Sequence, residues 1–318
     1  MELILVSFII RRCLQTILVV ILVSMVSYLI LQLIPGDPVV TMLGGESSQE
    51  RIDALRHELW LDRPLPVQYI HWVDNVVHGD FGKSIATNDP VTAIIAQRLP
   101  ITVYLSFLAL ILSTLIGISL GILSAVRRGT FLDPFINVLA NIGVAIPVFW
   151  LGILGAYFLG LKLHWLAIQG FTWPTEDLGL SIKRTVMPVI CLAVSPMAIL
   201  ARQTISSVLE VIHQDYIRTA MSKGLRERVV VLRHVLKNAL IPVVTLLGLQ
   251  VRVLFGGSVL VEQVFNINGM GRTLVTAAFV KDFPVLQAGV LLIALLVCIA
   301  NLLVDLSYSW LDPRIRFE

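Results

Sequence analysis

The sequence predicts an all-α integral membrane protein, and three observations lead to that fold class. Of its 318 residues, 57% are hydrophobic and only 14% are charged, against roughly 25% charged residues in an average soluble domain. The mean hydropathy of +0.86 is more apolar than a hydrated protein surface allows. The apolar residues also form runs long enough to cross a bilayer as helices, which satisfy their own backbone hydrogen bonds in lipid.

Six transmembrane helices are predicted, at about 20 apolar residues per crossing. They lie near residues 9–33, 100–126, 135–161, 186–208, 239–261 and 285–308. The first run is too long for the apolar core of a signal peptide and is followed by IPGDP, so we expect an uncleaved span. Kinks are expected in the third, fourth and fifth spans at Pro147, Pro188, Pro196 and Pro242.

The distribution of cations predicts that both termini are cytoplasmic. In that orientation the inner segments hold 13 Lys and Arg residues and the outer segments hold 10. Half of the outer cations lie in the long loop 34–98, which the positive-inside rule discounts. Within this loop, SSQERIDALRHELWLD and PVQYIHWVDNVVHGDFG each predict a short helix, the second at the membrane surface.

Two apparent motifs are better explained without catalysis. Gly82-Lys83-Ser84 ends like a phosphate-binding loop, but the first glycine of GxxxxGK[ST] is replaced by Val77. His71 and His78 could share a helix face, but a solvated surface is favoured over a pair of metal ligands. No nucleophile arrangement is recognisable either, so we predict a protein that is not an enzyme.

The fifth predicted span carries an unusual charge, Arg252, close to Gln250. Charge within a span is costly and therefore suggests either a water-filled path or a structural partner. Arg252 could attract an anionic group of a cargo, or it could pair with Asp305 or with backbone carbonyls. The stretch 255–272 then predicts a tight re-entrant or gate-forming turn with Glu262 at its outer mouth, and Gly256 and Gly257 are expected to permit close helix packing.

The segment 215–234, DYIRTAMSKGLRERVVVLRH, is basic although apolar spans flank it. Gly224 is expected to break a preceding helix, 206–223, from a following one. One apolar stripe (Leu225, Val229, Leu232 and Leu236) and one basic stripe (Arg226, Arg233 and Lys237) are predicted in the second helix. A positive-inside loop explains the charge alone, whereas a helix hairpin that docks a partner explains all of these features.

This segment resembles the cytoplasmic loop of binding-protein-dependent ABC importer permeases. Ala220 and Gly224 keep the spacing of the family pattern EAAxxxG, while Arg218 and Thr219 depart from it. DYIRTAMSKGL is typical of the dipeptide, oligopeptide and nickel branch, and IPGDP with the long outer loop resembles the first of its two permease subunits. Four further stretches resemble that branch: IPGDP (34–38), HGDFGKS (78–84), NALIPVVTLLGLQ (238–250) and LVDLSYSWLDPRIR (303–316). One departure is Arg252, where this branch usually has a small residue.

The resemblance implies the fold of a type I ABC importer permease in the bacterial cytoplasmic (inner) membrane. The implied partners are a homologous second permease, two cytoplasmic ABC ATPase subunits, an extracytoplasmic solute-binding protein and the lipid bilayer, with no nucleic acid. This chain would need no cofactor, because ATP and Mg would bind the ATPases. The implied cargo is di- or oligopeptides, with nickel, a metal chelate or glutathione as alternatives. A secondary transporter would instead require inverted repeats or several acids at the membrane midplane.

The resemblance also assigns domains and site residues. Residues 1–98 would form an N-terminal span with a long extracytoplasmic loop, 99–308 the five-span permease core with a coupling loop at 209–238, and 309–318 a cytoplasmic tail. Contact with the ATPase is expected from Thr219, Ala220, Lys223, Gly224, Leu225 and Arg226. A translocation path or gate is expected along Gln250, Arg252, Ser258, Glu262, Gly269 and Gly271.

Overall fold

A computed structural model describes residues 2–32, 38–43, 48–58 and 60–311, and these residues are mostly helical. The N-terminal part contains α1 (Glu2–Gln32), α2 (Pro38–Leu43), α3 (Gln49–Glu58) and α4 (Leu65–Val77). The core contains α5 (Val91–Val126), α6 (Leu132–Ala145), α7 (Val148–Gly155) with a π-helical extension (Ala156–Lys162), α8 (Leu178–Ile212), α9 (Asp215–Ser222), α10 (Glu227–Val229), a π-helical segment (Val230–Val235), α11 (Leu236–Ala239), α12 (Ile241–Val264), α13 (Met270–Phe279) and α14 (Phe283–Leu311). The predicted all-α fold is confirmed.

Five helices in the described ranges are long and apolar enough to cross a membrane. They are residues Ile10–Leu29 of α1, the whole of α5, α8 and α12, and Phe283–Val304 of α14. Helix α5 begins at Val91, earlier than its apolar run, because the amphipathic turns before the span are also helical. Two of the family-like stretches are described only in part. Residues 34–37 of IPGDP and residues 312–316 of LVDLSYSWLDPRIR lie outside the described residues.

The third predicted span is broken rather than kinked. Neither helix α6 nor the unit of α7 with its π-helical extension is long enough to cross a membrane alone, and the two meet at an angle of 100°. Ile146 is extended (φ −70°, ψ 123°), as expected for the residue before a proline, and Pro147 then caps α7. The prediction of a kink at Pro242 is wrong, because this proline lies in the first turn of α12, where no N–H is required.

The long loop is tied to the first span through α4. The Tyr28 hydroxyl of α1 donates to Gln68 Oε1 at 3.1 Å, and the hydroxyls of Ser24 and Tyr69 lie 2.7 Å apart. The Trp72 ring packs 5.7 Å from the ring of Tyr28. The second helix predicted in the loop is therefore present and lies against the end of α1.

The centre of the core is the contact between α5 and α8, where glycines bring the two helices close together. A Cβ atom added to Gly117 would lie 2.7 Å from the carbonyl oxygen of Met197, and one added to Gly121 would lie 2.5 Å from Cβ of Thr204. Small residues permit this kind of close backbone approach. Gly256 and Gly257, by contrast, bring no two helices of the described residues close together: a Cβ on Gly256 would meet no atom within 4 Å, and one on Gly257 only a Leu192 methyl at 3.6 Å.

A buried carboxylate anchors the long loop to the other side of the core. Asp282, between α13 and α14, accepts hydrogen bonds from Ser84 Oγ (2.5 Å), Ile85 N (3.0 Å) and Ala86 N (3.4 Å). Ser84 and Asp282 are both buried, with 3% of each exposed. The serine of the GKS triplet thus has a structural role in this fold, where it joins residues far apart in sequence.

The anchor predicts a loss of stability when Asp282 is changed to Asn. The amide would place a donor opposite groups that themselves donate, leaving at least one of them unsatisfied and costing about 1–3 kcal/mol. We expect a lower melting temperature of the detergent-purified protein and faster protease cleavage between residues 78 and 90. Asp89→Asn, which changes an exposed carboxylate of the same loop, is the matched control, and equal behaviour of the two variants would contradict the anchoring role.

Candidate functional site

Most residues singled out by the sequence fall at the two ends of α12, and Gln250, Arg252 and Ser258 lie along it. This helix has 24 residues and is therefore about 36 Å long at 1.5 Å per residue. Its first turn follows the basic segment 209–238, here called the coupling segment. Its last turn leads into α13 through a cluster of Thr102, Glu262, Gly269 and Gly271, here called the α13 clamp.

The coupling segment begins with a break that the sequence analysis did not predict. The expected continuous helix 206–223 is wrong, because α8 ends at Ile212 and α9 starts at Asp215. Gln214 between them is extended (φ −72°, ψ 148°), and its carbonyl accepts from Ile217 N to begin the new helix. The acid Asp215 in the first turn suits a helix N-terminus and is the one sequence signal for this break.

One face of α9 is buried against its own chain. Ile217 is fully buried and Ala220 is 8% exposed. Both belong to a small apolar core whose other buried members are Ala125, Val208, Val230, Val235 and Ala239. Helix α9 is therefore fixed to the end of α5, to the end of α8 and to the segment that leads into α12.

Gly224 ends α9 as the sequence predicted. Its φ of +73° is in the left-handed region, and its N–H donates to the carbonyl of Met221 at 2.9 Å, a common way to close a helix with glycine. Arg226 then adopts an extended conformation (φ −60°, ψ 139°) and starts α10. The chain thus forms an exposed bend, Lys223–Arg226, between two short helices.

The predicted apolar stripe beyond this bend is wrong. Leu225 and Leu232 are exposed, by 40% and 66%, whereas Val230, Val231 and Val235 are buried. The reason is the π-helical segment Val230–Val235, whose wider turns shift the residues away from the i, i+4, i+7 spacing of an α-helix. The predicted basic stripe is exposed at Arg226, Arg233 and Lys237.

The six residues expected to meet an ATPase therefore divide into two groups. Ala220 faces the interior of the permease. The other five are exposed: Thr219, Lys223, Gly224, Leu225 and Arg226.

The residues expected along a path on α12 also divide. Gln250 and Ser258 are buried, with 2% and 1% exposed, and Arg252 is exposed. Gln250 Oε1 has no hydrogen-bond partner, and Ser258 Oγ donates to the carbonyl of Phe255 at 2.8 Å. The expected alternative partner of Arg252, the Asp305 side chain, lies outside the described residues.

At the opposite end of α12, Glu262 is fully buried. Its Oε1 accepts from Thr102 Oγ1 at 2.6 Å, and its Oε2 accepts from the backbone N–H of Arg272 at 2.8 Å. Thr102 Oγ1 in turn accepts from Met270 N at 2.8 Å. The carboxylate therefore accepts a hydrogen bond from one N–H group in the first turn of α13, and Thr102 accepts from a second. A negative charge at this position is also favoured by the helix dipole.

Glycines are required at two positions of the clamp because the carboxylate lies so close to the backbone. A Cβ atom on Gly269 would lie 2.5 Å from Cδ of Glu262, and one on Gly271 would lie 2.8 Å from Cα of Val259. The tight turn expected for 255–272 is thus present, but Glu262 is enclosed by it rather than open to solvent at its mouth. The sequence analysis missed Thr102, which stands in an apolar run and gives no signal of a partner 160 residues away.

Two known protein families match nearly the whole chain. The family described as "Binding-protein-dependent transport system inner membrane component" matches residues 117–317. The corresponding N-terminal family, "Binding-prot-dependent transport system membrane comp, N-term", matches residues 5–106. Together the two matches include the coupling segment, α12 and both partners in the Thr102–Glu262 hydrogen bond.

Relatives of known sequence are similar over nearly their full length. The chain is 40% identical over 310 residues to a "Probable peptide ABC transporter permease protein" of Sinorhizobium fredii, covering 98% of this chain and 99% of the relative. It is 38% identical over 331 residues to the "Dipeptide transport system permease protein DppB" of Alkalihalophilus pseudofirmus, covering 98% of this chain and 99% of that relative.

Solved structures show the same fold at low sequence identity. A chain of the inward-facing MetNI methionine ABC transporter aligns with a TM-score of 0.57 and 18% identity, covering 69% of this chain and 96% of that one. A chain of an amino acid ABC transporter aligns with a TM-score of 0.52 and 15% identity, covering 69% and 94%. The predicted ABC permease fold is therefore confirmed. The chain belongs to the binding-protein-dependent transport system inner membrane component family, as a multi-pass permease subunit of an ABC importer.

Proposed function

We propose that this permease imports di- or oligopeptides through the bacterial inner membrane, driven by ATP hydrolysis on separate ATPase subunits. The observation that carries the proposal is the construction of the coupling segment. One face of α9 is packed into its own chain, and the other face and the bend after it are exposed. This arrangement suits a helix that receives force from a partner, with the coupling segment on the cytoplasmic side.

The contact with the ATPase is proposed to use the exposed face alone. Lys223 and Arg226 place two cations at the bend, and Leu225 adds an apolar side chain that is 40% exposed. Thr219 and the side-chain-free Gly224 complete this surface. Ala220, which the resemblance assigned to the contact, is buried, and we propose that it positions α9 instead.

Movement of α9 would reach the spans through its buried face. Ile217 and Ala220 pack against Val208 of α8 and against Val235 and Ala239, which precede α12. A close-packed core is not readily compressed, so a displacement of α9 shifts its neighbours rather than being absorbed. The long helices α8 and α12 would then carry the motion towards the other side of the membrane.

The exposed face of α12 is proposed to look towards the path and the homologous second permease. This face carries Leu249, Arg252, Val253 and Gly256. An arginine in the middle of a span is costly if it faces lipid, and Gly256 leaves open space for another helix to approach. Arg252 would then attract the carboxylate of a passing peptide.

The choice of peptides as cargo follows from the relatives. Those of Sinorhizobium fredii and Alkalihalophilus pseudofirmus are named as peptide and dipeptide permeases and match over 98% of this chain. Neither name supports nickel, a metal chelate or glutathione. We propose that a solute-binding protein outside the membrane delivers the peptide.

Reconstitution tests this function directly. Liposomes containing this permease, its second permease and both ATPases, with the solute-binding protein outside, are expected to accumulate a labelled dipeptide or tripeptide when ATP is inside. A non-hydrolysable ATP analogue should abolish the accumulation. Uptake that needs an ion gradient and no ATP would contradict the proposal and favour a secondary transporter.

Gly224→Asn is expected to uncouple the transporter. Asn tolerates a positive φ better than most residues, and an added Cβ meets no atom of this chain within 4 Å, so the fold should be retained. The added side chain would nevertheless obstruct the docked ATPase, and a loss of about 1.4 kcal/mol of docking free energy lowers association tenfold. ATP-dependent peptide uptake in the same liposomes should therefore fall by about that factor or more.

Gly129→Asn is the matched control for this experiment. Gly129 also has a positive φ (+80°) and open space at its Cβ position, and it lies in the turn after α5 outside the proposed contact surface. This variant should transport peptide at the wild-type rate. Normal uptake with Gly224→Asn, or equal losses in both variants, would contradict the docking role of the bend.

A further inference from the structure

An open groove lies at the α13 end of the molecule, between the first turns of α5, the helix α13 and the loop that follows Ser84. Its volume is about 470 Å³. Ala277 and Val285 contribute apolar floor, and the rim is polar, with Gln97, Arg98 and Arg272 among its residues. We propose that this groove docks an acidic surface segment of the solute-binding protein, with Arg98 and Arg272 as the recognition residues. The proposal rests on the proposed function, since it requires an importer that receives cargo from such a protein.

The two arginines converge on one residue. Arg98 Nη1 donates to the carbonyl oxygen of Asn268 at 3.4 Å, and Arg272 Nη1 donates to Asn268 Oδ1 at 3.2 Å. Both arginines are half-buried, and Asn268 is exposed. The shared partner holds two guanidinium groups at the same side of the groove, where each repels the other.

The acids around the groove leave the two guanidinium groups without a direct ion pair, although the charge of the buried Glu262 acts on Arg272 from a distance. Among the described residues neither arginine forms an ion pair with a carboxylate. Glu262 and Asp282 are buried, and their oxygens accept hydrogen bonds from Thr102, from Ser84 and from backbone N–H groups. Asp89 at the rim is exposed and makes no such pair either. An acidic partner would supply the missing counter-charge, and complementary charge of this kind also speeds association.

The walls of the groove are fixed before any partner arrives. Glu262 binds the backbone N–H of Arg272 at the start of α13, and Asp282 binds the backbone after Ser84 just beyond the end of that helix. A surface that is already ordered loses less conformational entropy on binding. The two buried carboxylates thus fix the positions of α5 and α13, the helices that carry Arg98 and Arg272.

The shape of the groove favours a protein segment over the peptide cargo. The groove is open on one side, and its hydrogen-bonding groups at Gln97, Asn268 and Thr276 are exposed rather than enclosed, unlike a small-molecule pocket, which buries most of its ligand. It also lies at the end of α12 away from the coupling segment, where a protein outside the membrane would approach. Arginine is enriched in the residues that dominate protein–protein affinity.

The test measures docking of the solute-binding protein to the complete transporter in lipid nanodiscs, by surface plasmon resonance at several salt concentrations. Arg98→Glu and Arg272→Glu are each expected to weaken docking by about tenfold and to reduce its dependence on salt, because they remove a complementary charge. Lys183→Glu is the matched control. It makes the same charge change at an exposed residue near the same end and outside the groove, and it should leave the affinity within about twofold of wild type.

A second pair of variants leaves both arginines in place. Gln97 is exposed at the rim, so Gln97→Glu should weaken docking and Gln97→Lys should strengthen it, each by several-fold. Opposite effects of these two substitutions cannot arise from a general loss of folding. They therefore keep the inference testable even if an arginine variant is not stably produced.

The outcomes separate this inference from the proposed function. Docking that all four groove substitutions leave at the wild-type affinity would overturn the groove as the docking surface. Unchanged docking together with a raised KM for peptide uptake would also overturn it and would assign the groove to cargo. A wild-type transporter that neither binds a solute-binding protein nor takes up peptide would overturn the proposed function itself.

Discussion

The hydrogen bonds of the Glu262 carboxylate are the constraint on which one end of this permease depends. A buried carboxylate needs donors, and the first turn of a helix has N–H groups that need acceptors. In the α13 clamp the Glu262 carboxylate accepts from the N–H of Arg272 in the first turn of α13. Thr102 of α5 donates to Glu262 and accepts from the N–H of Met270. The glycines at 269 and 271 follow from this contact, because any larger residue would collide with the carboxylate or with the backbone of α12. The second carboxylate, Asp282, then fixes the far end of α13 to the loop after Ser84.

At the other end of α12 the elements are held by apolar packing instead of buried hydrogen bonds, and the charged residues are exposed. Helix α9 is held by apolar packing through Ile217 and Ala220, and Gly224 turns the chain so that cations face outwards. The proposed docking surface is therefore small and rigidly backed. Helix α12, with 24 residues, connects the coupling segment to the α13 clamp. The proposed contact with the ATPase and the proposed contact with the solute-binding protein therefore lie beyond opposite ends of one helix.

Local features of the sequence predicted much of the fold and of the coupling segment. Apolar runs located the spans, and Gly224 ended α9 because only a residue tolerant of positive φ fits there. Features set by distant contacts could not be predicted, since Thr102 and Glu262 lie 160 residues apart and Ser84 and Asp282 lie 198 apart. The apolar stripe failed because a π-helical segment changed the periodicity that the prediction assumed. The break at Gln214 was missed because the neighbouring residues are compatible with a helix, and Asp215 in the first turn of α9 is a weak signal by itself.

Because of these hydrogen bonds, we expect the α13 clamp to join α5 and α13 into one rigid unit throughout the transport cycle. Spin labels at Ala96→Cys on α5 and Ala278→Cys on α13, both exposed, would report this directly by double electron–electron resonance. The native Cys13, Cys191 and Cys298 would first be replaced by Ala, and peptide uptake by the labelled transporter would be verified. A rigid unit gives the same distance distribution in nucleotide-free and ATP-bound transporter. A shift of about 5 Å or more, the size of a one-turn displacement, would contradict it.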